Sequence, residues 1–193
     1  TPEEKPPIRK IRDQSNYVIP IGACATSGGL QSLRNMADTK TWIEGIYAQP
    51  QFIHSLATST AIRDHIKVDF ELWGCPISGK QIVTLLHSLL RGVAPIDEAD
   101  KTCLECKRQQ NICTLVTKGM PCMGPVTRTG CGAICPGMGR DCYACYGPAE
   151  NPNPDALANR FEGLGLMPDE IARRFLFINN NAPPFRDPGI KWK

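Results

Sequence analysis

The chain has 193 residues, with 17 Gly, 17 Pro and 10 Cys, and 41% hydrophobic against 21% charged residues, a length that can bury a core and a composition rich in chain breakers and thiols. Its 22 basic and 19 acidic side chains leave a formal charge of +3, far from the concentrated positive patch of a nucleic-acid binder. No apolar run approaches the roughly 20 residues of a membrane-spanning helix, and the opening TPEEKPPIRK lacks the apolar centre of a signal peptide, so the expectation is a soluble, cytoplasmic chain.

Residues 1–95 alternate strand and helix signals. After a charged, proline-containing lead, the apolar run NYVIPIGA (Asn16 to Ala23) reads as a strand buried on both faces. It enters Cys24 and a small-residue turn through Gly29, followed by helical spacing at Leu30, Leu33 and Ala37. Thr39 to Ser59, which contains Pro50, reads as loop. Ile66, Val68, Phe70 and Leu72 alternate with Lys67, Asp69 and Glu71, predicting a second strand that ends at Trp73-Gly74-Cys75-Pro76. A helix is predicted over 79–91, with Ser78 as N-cap, Ile82, Leu85, Leu86, Leu89 and Leu90 on one side, and Gly92 as its stop. The expected fold class is α/β, an open parallel sheet. Both cysteines fall at the carboxyl ends of strands, where such sheets place ligands, so Cys24 and Cys75 are expected to share one site.

After the linker VAPIDEAD the texture changes. Eight of the ten cysteines lie between Cys103 and Cys145, among many Gly and Pro, with few residues for an apolar core; something other than apolar burial is expected to hold this module together. The spacing is Cys103-x2-Cys106-x6-Cys113-x8-Cys122-x8-Cys131-x3-Cys135-x6-Cys142-x2-Cys145. Disulfides would need an oxidising compartment, which nothing else in the sequence supports. Zinc would suit two tetrahedral groups of four thiolates. Iron–sulfur clusters also take four thiolates, and Cys131-x3-Cys135-Pro136 reproduces the end of a ferredoxin run. Gly124, Gly130, Gly132, Gly137 and Gly139 would let backbone N–H groups approach cluster sulfurs, or else only make turns. In the tail, PDALANRFEGLG and PDEIARRFLFI each open with a Pro-Asp pair suited to a first helical turn, and NNNAPPFRDPGIKWK reads as an irregular arm.

At CLECK, GMPCMGPVTRTGCGAICPGMGRDCYACYGP, GACATSGG and WGCP the sequence closely resembles the small subunit of nickel–iron hydrogenases, nearest to the delta subunits of soluble NAD(P)-linked hydrogenases, or sulfhydrogenases, over about Ser15 to Arg186. The resemblance implies a flavodoxin-like domain over 1–95, partial because the family's N-terminal Cys-x-x-Cys is absent, and a Cys-rich domain with a C-terminal helical arm over 96–193. It implies that Cys24 and Cys75 ligate a proximal [4Fe-4S] cluster, that Cys103, Cys106, Cys113 and Cys122 ligate a distal one, and that Cys131, Cys135, Cys142 and Cys145 ligate a medial one; an interleaved partition of the eight is the alternative. The implied role is an electron relay, with no substrate chemistry of its own, between the nickel–iron site of a large subunit and iron–sulfur and flavin/NAD(P) subunits. The surface around Cys24 and Cys75 is expected to form a large, apolar interface with the large subunit.

A zinc-stabilised interaction module is the rival reading. A second rival is the related proximal-cluster subunit of NADH:quinone oxidoreductase, a family without the eight-cysteine extension. His54, His65 and His87 read as surface or packing residues rather than ligands, and Trp42 and Trp73 as core or interface residues rather than relays.

Overall fold

The structure, a computed structural model, describes residues 2–193. Among these residues the regular structure is helical, and extended backbone pairs only at isolated bridges. The flavodoxin-like open parallel sheet expected over 1–95 is therefore not formed. The two segments expected as strands do run side by side in parallel. Asp69 N–H donates to Val18 O (3.0 Å), Leu72 N–H to Pro20 O (3.0 Å) and Gly22 N–H to Leu72 O (2.7 Å). The ladder goes no further, because Pro20 has no N–H to give and no third extended segment joins either edge among the described residues. The alternation at Ile66, Val68 and Phe70 is real as burial, with Lys67 and Asp69 exposed between them. It records one wet and one covered side rather than a sheet.

Helix α1 (Lys5–Gln14) precedes this pair and buries no residue. Arg12 near its end forms an ion pair with Asp69 and donates to Ser15 O (2.7 Å). The Val18 N–H and the Arg12 guanidinium hold the Asp69 carboxyl below its ordinary range. At Gly22 (φ +87°) the chain turns into α2 (Ala23–Ser27), so the run expected as strand through Ala23 winds into a helix at its end. Gly29–Met36 continues as 3-10 helix where a helix was expected. The stretch expected as loop contains α3 (Thr39–Ile46), capped by Asp38, whose carboxylate accepts from Lys40 N (3.0 Å) and Thr41 Oγ1 (2.5 Å). Helix α4 (Gly79–Leu90) forms as expected, although the Ser78 side chain makes no cap hydrogen bond. Leu85 is its one buried residue, while Leu86 and Leu90 of the apolar face are 50% and 85% exposed.

The Cys-rich segment folds as short pieces: α5 (Thr102–Arg108), α6 (Thr114–Thr117), a 3-10 turn Gly124–Val126 and α7 (Ile134–Gly137). Helices α8 (Pro154–Glu162) and α9 (Pro168–Phe175) open on the expected Pro-Asp pairs. The expected irregular arm instead forms α10 (Pro183–Lys191), whose first-turn prolines lack only N–H groups that a helix start leaves free.

Apolar burial holds this half after all. Met123, Val126 and Ala144 of the Cys-rich segment pack in one cluster with Leu157, Phe161, Ile171, Phe175 and Phe185 of α8 to α10. Phe175 lies 6.4 Å from both Phe161 and Phe185, ring centre to ring centre. The expectation that something other than apolar packing must hold residues 101–148 fails because the covering side chains come from the tail.

Candidate metal centre

None of the ten cysteines is joined in a disulfide. Cys103 and Cys106 lie on α5, Cys113 at the N-cap of α6, and Cys122 just ahead of the 3-10 turn. Burial pushes the Cys103 thiol up to about 11, and the fields of Cys122, Cys113 and Cys106 push in the same direction. These four thiols therefore share one neighbourhood. Beside them Gly124 keeps a space open: a Cβ there would lie 3.3 Å from Cys103 Sγ and 3.5 Å from Cys122 Sγ.

A second neighbourhood holds Cys131, Cys135 and Cys145. Burial raises the Cys145 thiol to about 12, reinforced by Cys131, Cys135 and then Cys75. Cys142 sits at the seam. It is 5% exposed, its N–H donates to Cys122 Sγ (3.3 Å), and its own Sγ accepts the Ala144 N–H (3.4 Å). Its thiol is raised chiefly by burial, with Cys122 and then Cys145 adding in the same direction. Tyr146, buried next to Cys145, is likewise raised to about 12, by burial and then by Cys131, Cys145 and Glu105.

Cys24 and Cys75 sit on adjoining turns, since Ala23 N–H donates to Gly74 O (2.8 Å) one residue before each cysteine. Cys24 is exposed and Cys75 half-buried. The turn after Cys24 is tight: a Cβ on Gly29 (φ +54°) would fall 2.8 Å from Cys24 Sγ. Asn179 anchors this corner to the Cys-rich segment. Its Oδ1 accepts from Ser27 Oγ (2.7 Å) and its Nδ2 donates to Ala144 O (2.7 Å), all buried. Trp73 is 5% exposed, with the guanidinium carbons of Arg63 and Arg128 5.6 and 5.2 Å from its ring centre. Trp42, by contrast, is 52% exposed. His65 shares a hydrogen bond with Thr60 Oγ1 (2.7 Å), and His54 and His87 are exposed.

Two residues the sequence reading passed over matter here. Asn179 could have been suspected from the run of three Asn; Glu105, between two cysteines in CLECK, gave no signal beyond that position.

The donor set is all thiolate, which suits soft metals. A single zinc ion bound at about 2.3 Å by four sulfurs draws them to about 3.8 Å from one another. Among the described residues no three Cys, His, Asp or Glu side chains converge on one point in that way. Sets of thiols beside a space kept open by Gly124 fit a group of several metal atoms, each held by one thiolate.

The family described as NADH ubiquinone oxidoreductase, 20 Kd subunit, matches residues 2–89, ending before the eight-cysteine segment. The sulfhydrogenase 2 subunit delta of Pyrococcus furiosus is 34% identical over 169 residues, covering 86% of this chain and 69% of that protein. An iron-sulfur subunit of the F420-non-reducing hydrogenase of Archaeoglobus profundus is 22% identical over 217 residues, covering 84% of this chain and 66% of that protein. Among solved structures, that of an NAD+-reducing [NiFe]-hydrogenase in the H2-reduced state is similar with a TM-score of 0.44 and 25% identity, covering 49% of this chain and 60% of that one. No helix among the described residues is long and apolar enough to cross a membrane. With 34% identity over an alignment that covers more than two thirds of the sulfhydrogenase delta subunit, the chain belongs to that family of hydrogenase subunits and is a component of an oxidoreductase.

Proposed function

We propose that this chain is the electron-relay subunit of a nickel–iron hydrogenase, carrying [4Fe-4S] clusters on two consecutive sets of cysteines. Cys103, Cys106, Cys113 and Cys122 form the first set, and Cys131, Cys135, Cys142 and Cys145 the second. Iron–sulfur clusters, when bound, take up and release single electrons. The observation that carries the reading is the continuity of thiol neighbourhoods. They run from exposed Cys24 through Cys75 to Cys145, across the buried pair Cys142 and Cys122, and out to exposed Cys113. Both ends are open to the surface and the middle is dry, as a conduit between two partners requires.

The chain's own residues supply placement and shielding. Cys122 and Cys142 are buried under Met123 and Val126, which keeps water from the seam. Gly124 leaves room against Cys103 and Cys122 that any side chain would fill. Cys24 and Cys75 supply two thiolates of a third cluster, and two do not complete a cubane; with the other eight assigned, no further cysteine of residues 1–193 is left for it. Exposed Tyr17, Ile21 and Leu30 flank the Cys24 corner and form the apolar face offered to a partner hydrogenase subunit, the one that holds the nickel–iron site. The exposed Cys113 end faces the subunits that pass electrons to or from a flavin and NAD(P).

The test is iron and sulfide counting with low-temperature electron paramagnetic resonance on the complex purified without oxygen. The expected result is roughly eight irons with matching labile sulfide on the Cys-rich segment, and brown protein. Zinc in place of iron, in colourless protein, would overturn the reading.

A further inference from the structure

Glu105 lies on the helix that carries Cys103 and Cys106, but its carboxylate reaches across to the second set. Oε1 accepts the N–H of Gly132 (3.0 Å), and Oε2 accepts the N–H of Gly130 (3.3 Å) and the hydroxyl of Thr129 (2.8 Å). The two amides flank Cys131, so one side chain grips the backbone on both sides of that thiol. Gly130 and Gly132 have φ of +115° and +73°, a backbone that turns nearby N–H groups toward one acceptor and that other residues seldom adopt. All three partners are donors, which an acceptor-only carboxylate satisfies and a carboxamide satisfies only in part.

The contact is one of three from a single face of α5 and its end. Thr102 donates its N–H to Thr127 O (2.8 Å) and its hydroxyl to Arg128 O (2.7 Å), and Gln109 Nε2 donates to Gly132 O (3.0 Å). Positions 102, 105 and 109 follow helical spacing. The side chains of the outer two donate to carbonyl oxygens. Glu105 alone brings charge, and brings it to the loop of Cys131.

We propose that Glu105 is a positioning residue: it fixes the Cys131 loop against the helix of the first set, and its negative charge keeps the cluster held by the second set harder to reduce than a neutral side chain would. This rests on the cluster assignment above. An electron added beside a fixed carboxylate is opposed by it, strongly so in a partly buried site.

The experiment compares the intact complex carrying wild-type chain, Glu105→Gln or Glu105→Ala. Each is titrated through its reduction potentials by low-temperature electron paramagnetic resonance, with iron counts and hydrogen exchange at residues 129–132. Glu105→Gln is expected to keep its iron and to shift one cluster signal upward in potential, so that at the wild-type midpoint the reduced form is favoured at least about threefold. Glu105→Ala is expected to speed exchange at Gly130 and Gly132 at least about tenfold. Iron lost from Glu105→Ala but kept by Glu105→Gln and wild-type supports the positioning role. A loaded Glu105→Gln complex titrating at the wild-type potentials overturns the proposal even if exchange is faster, since a brace without electrostatic influence would do that. A wild-type complex without iron overturns the functional reading itself, a result that the variants are not needed to recognise.

Discussion

The two halves of this molecule differ in how far they enclose their apolar residues. In residues 101–193, Met123, Val126, Phe161, Ile171, Phe175 and Phe185 are all at most 1% exposed and close on one another. In residues 2–95 the buried hydrophobics are Ala23, Ala61, Leu72, Trp73 and Leu85, while Tyr17, Ile46, Phe52, Leu86 and Leu90 lie at the surface, each at least 50% exposed. One half packs against itself. The other leaves more of its large apolar side chains at the surface.

The contrast is most sharply broken or upheld by paired truncations. Phe175→Ala should cost about 3–5 kcal/mol of stability, the usual consequence of emptying a closed aromatic site. Leu86→Ala, half-exposed on α4, should change it by no more than about 0.5 kcal/mol while weakening assembly with partner subunits. Denaturant unfolding of the chain reads the first quantity and co-purification the second; equal losses of stability would erase the distinction between the halves.

A smaller effect probes the join. Asn179→Ala removes the acceptor of Ser27 Oγ and the donor to Ala144 O, both buried. Leaving such groups unpaired should cost about 1–3 kcal/mol. Hydrogen exchange should rise around residues 22–29, with little change around Phe161; uniform loosening would mean that the halves do not separate there.

A further effect concerns pH. In metal-free, reduced protein the thiols of Cys103 and Cys145 hold their protons to about 11 and about 12, against an ordinary value of 9.0. Above that ordinary value the unfolded chain releases these protons first, so their contribution is complete below about pH 9 and disappears as pH rises through the folded values. The unfolding midpoint of stripped protein should therefore fall between about pH 8 and about pH 11. Metal-loaded protein, whose thiolates are already ionised, should lack this part of the fall.

Some of this was readable from the sequence for definite reasons. Helices at 79–90, 154–162 and 168–175 combine apolar periodicity with Gly, Ser or Pro punctuation, which are local causes. The missing sheet shows the limit of the same logic. Alternation at Ile66, Val68 and Phe70 reports one-sided cover, and the single bridge at Leu72 depends on what lies alongside, which no local pattern states. Helix α3 is not legible in the pattern, since its start rests on the single cap Asp38, four positions ahead of Trp42, and Pro50 follows soon after its end. Helix α10 was missed because Pro183, Pro184 and Pro188 argue against helix unless the first two occupy its opening turn. The cysteine spacing and the motifs around it made the family legible. The seam at Cys142 and the reach of Glu105 across to Gly130 and Gly132 were not, since both arise only when distant segments return to α5 and to Cys122.

Gly147 lies against the face of the Trp73 indole so closely that a Cβ there would stand 2.2 Å from ring carbon Cε3 and 2.6 Å from Cζ3. Even alanine would have to displace a buried ring that also stacks with Arg63 and Arg128, and the shift would be passed along the chain to Gly74 and Cys75. Mutational drift at this position is thus barred by sterics alone, whatever the metal content. The turn bearing Cys75 has a single seating against the segment bearing Cys145, a fixed gauge between two parts of the molecule that are distant in sequence.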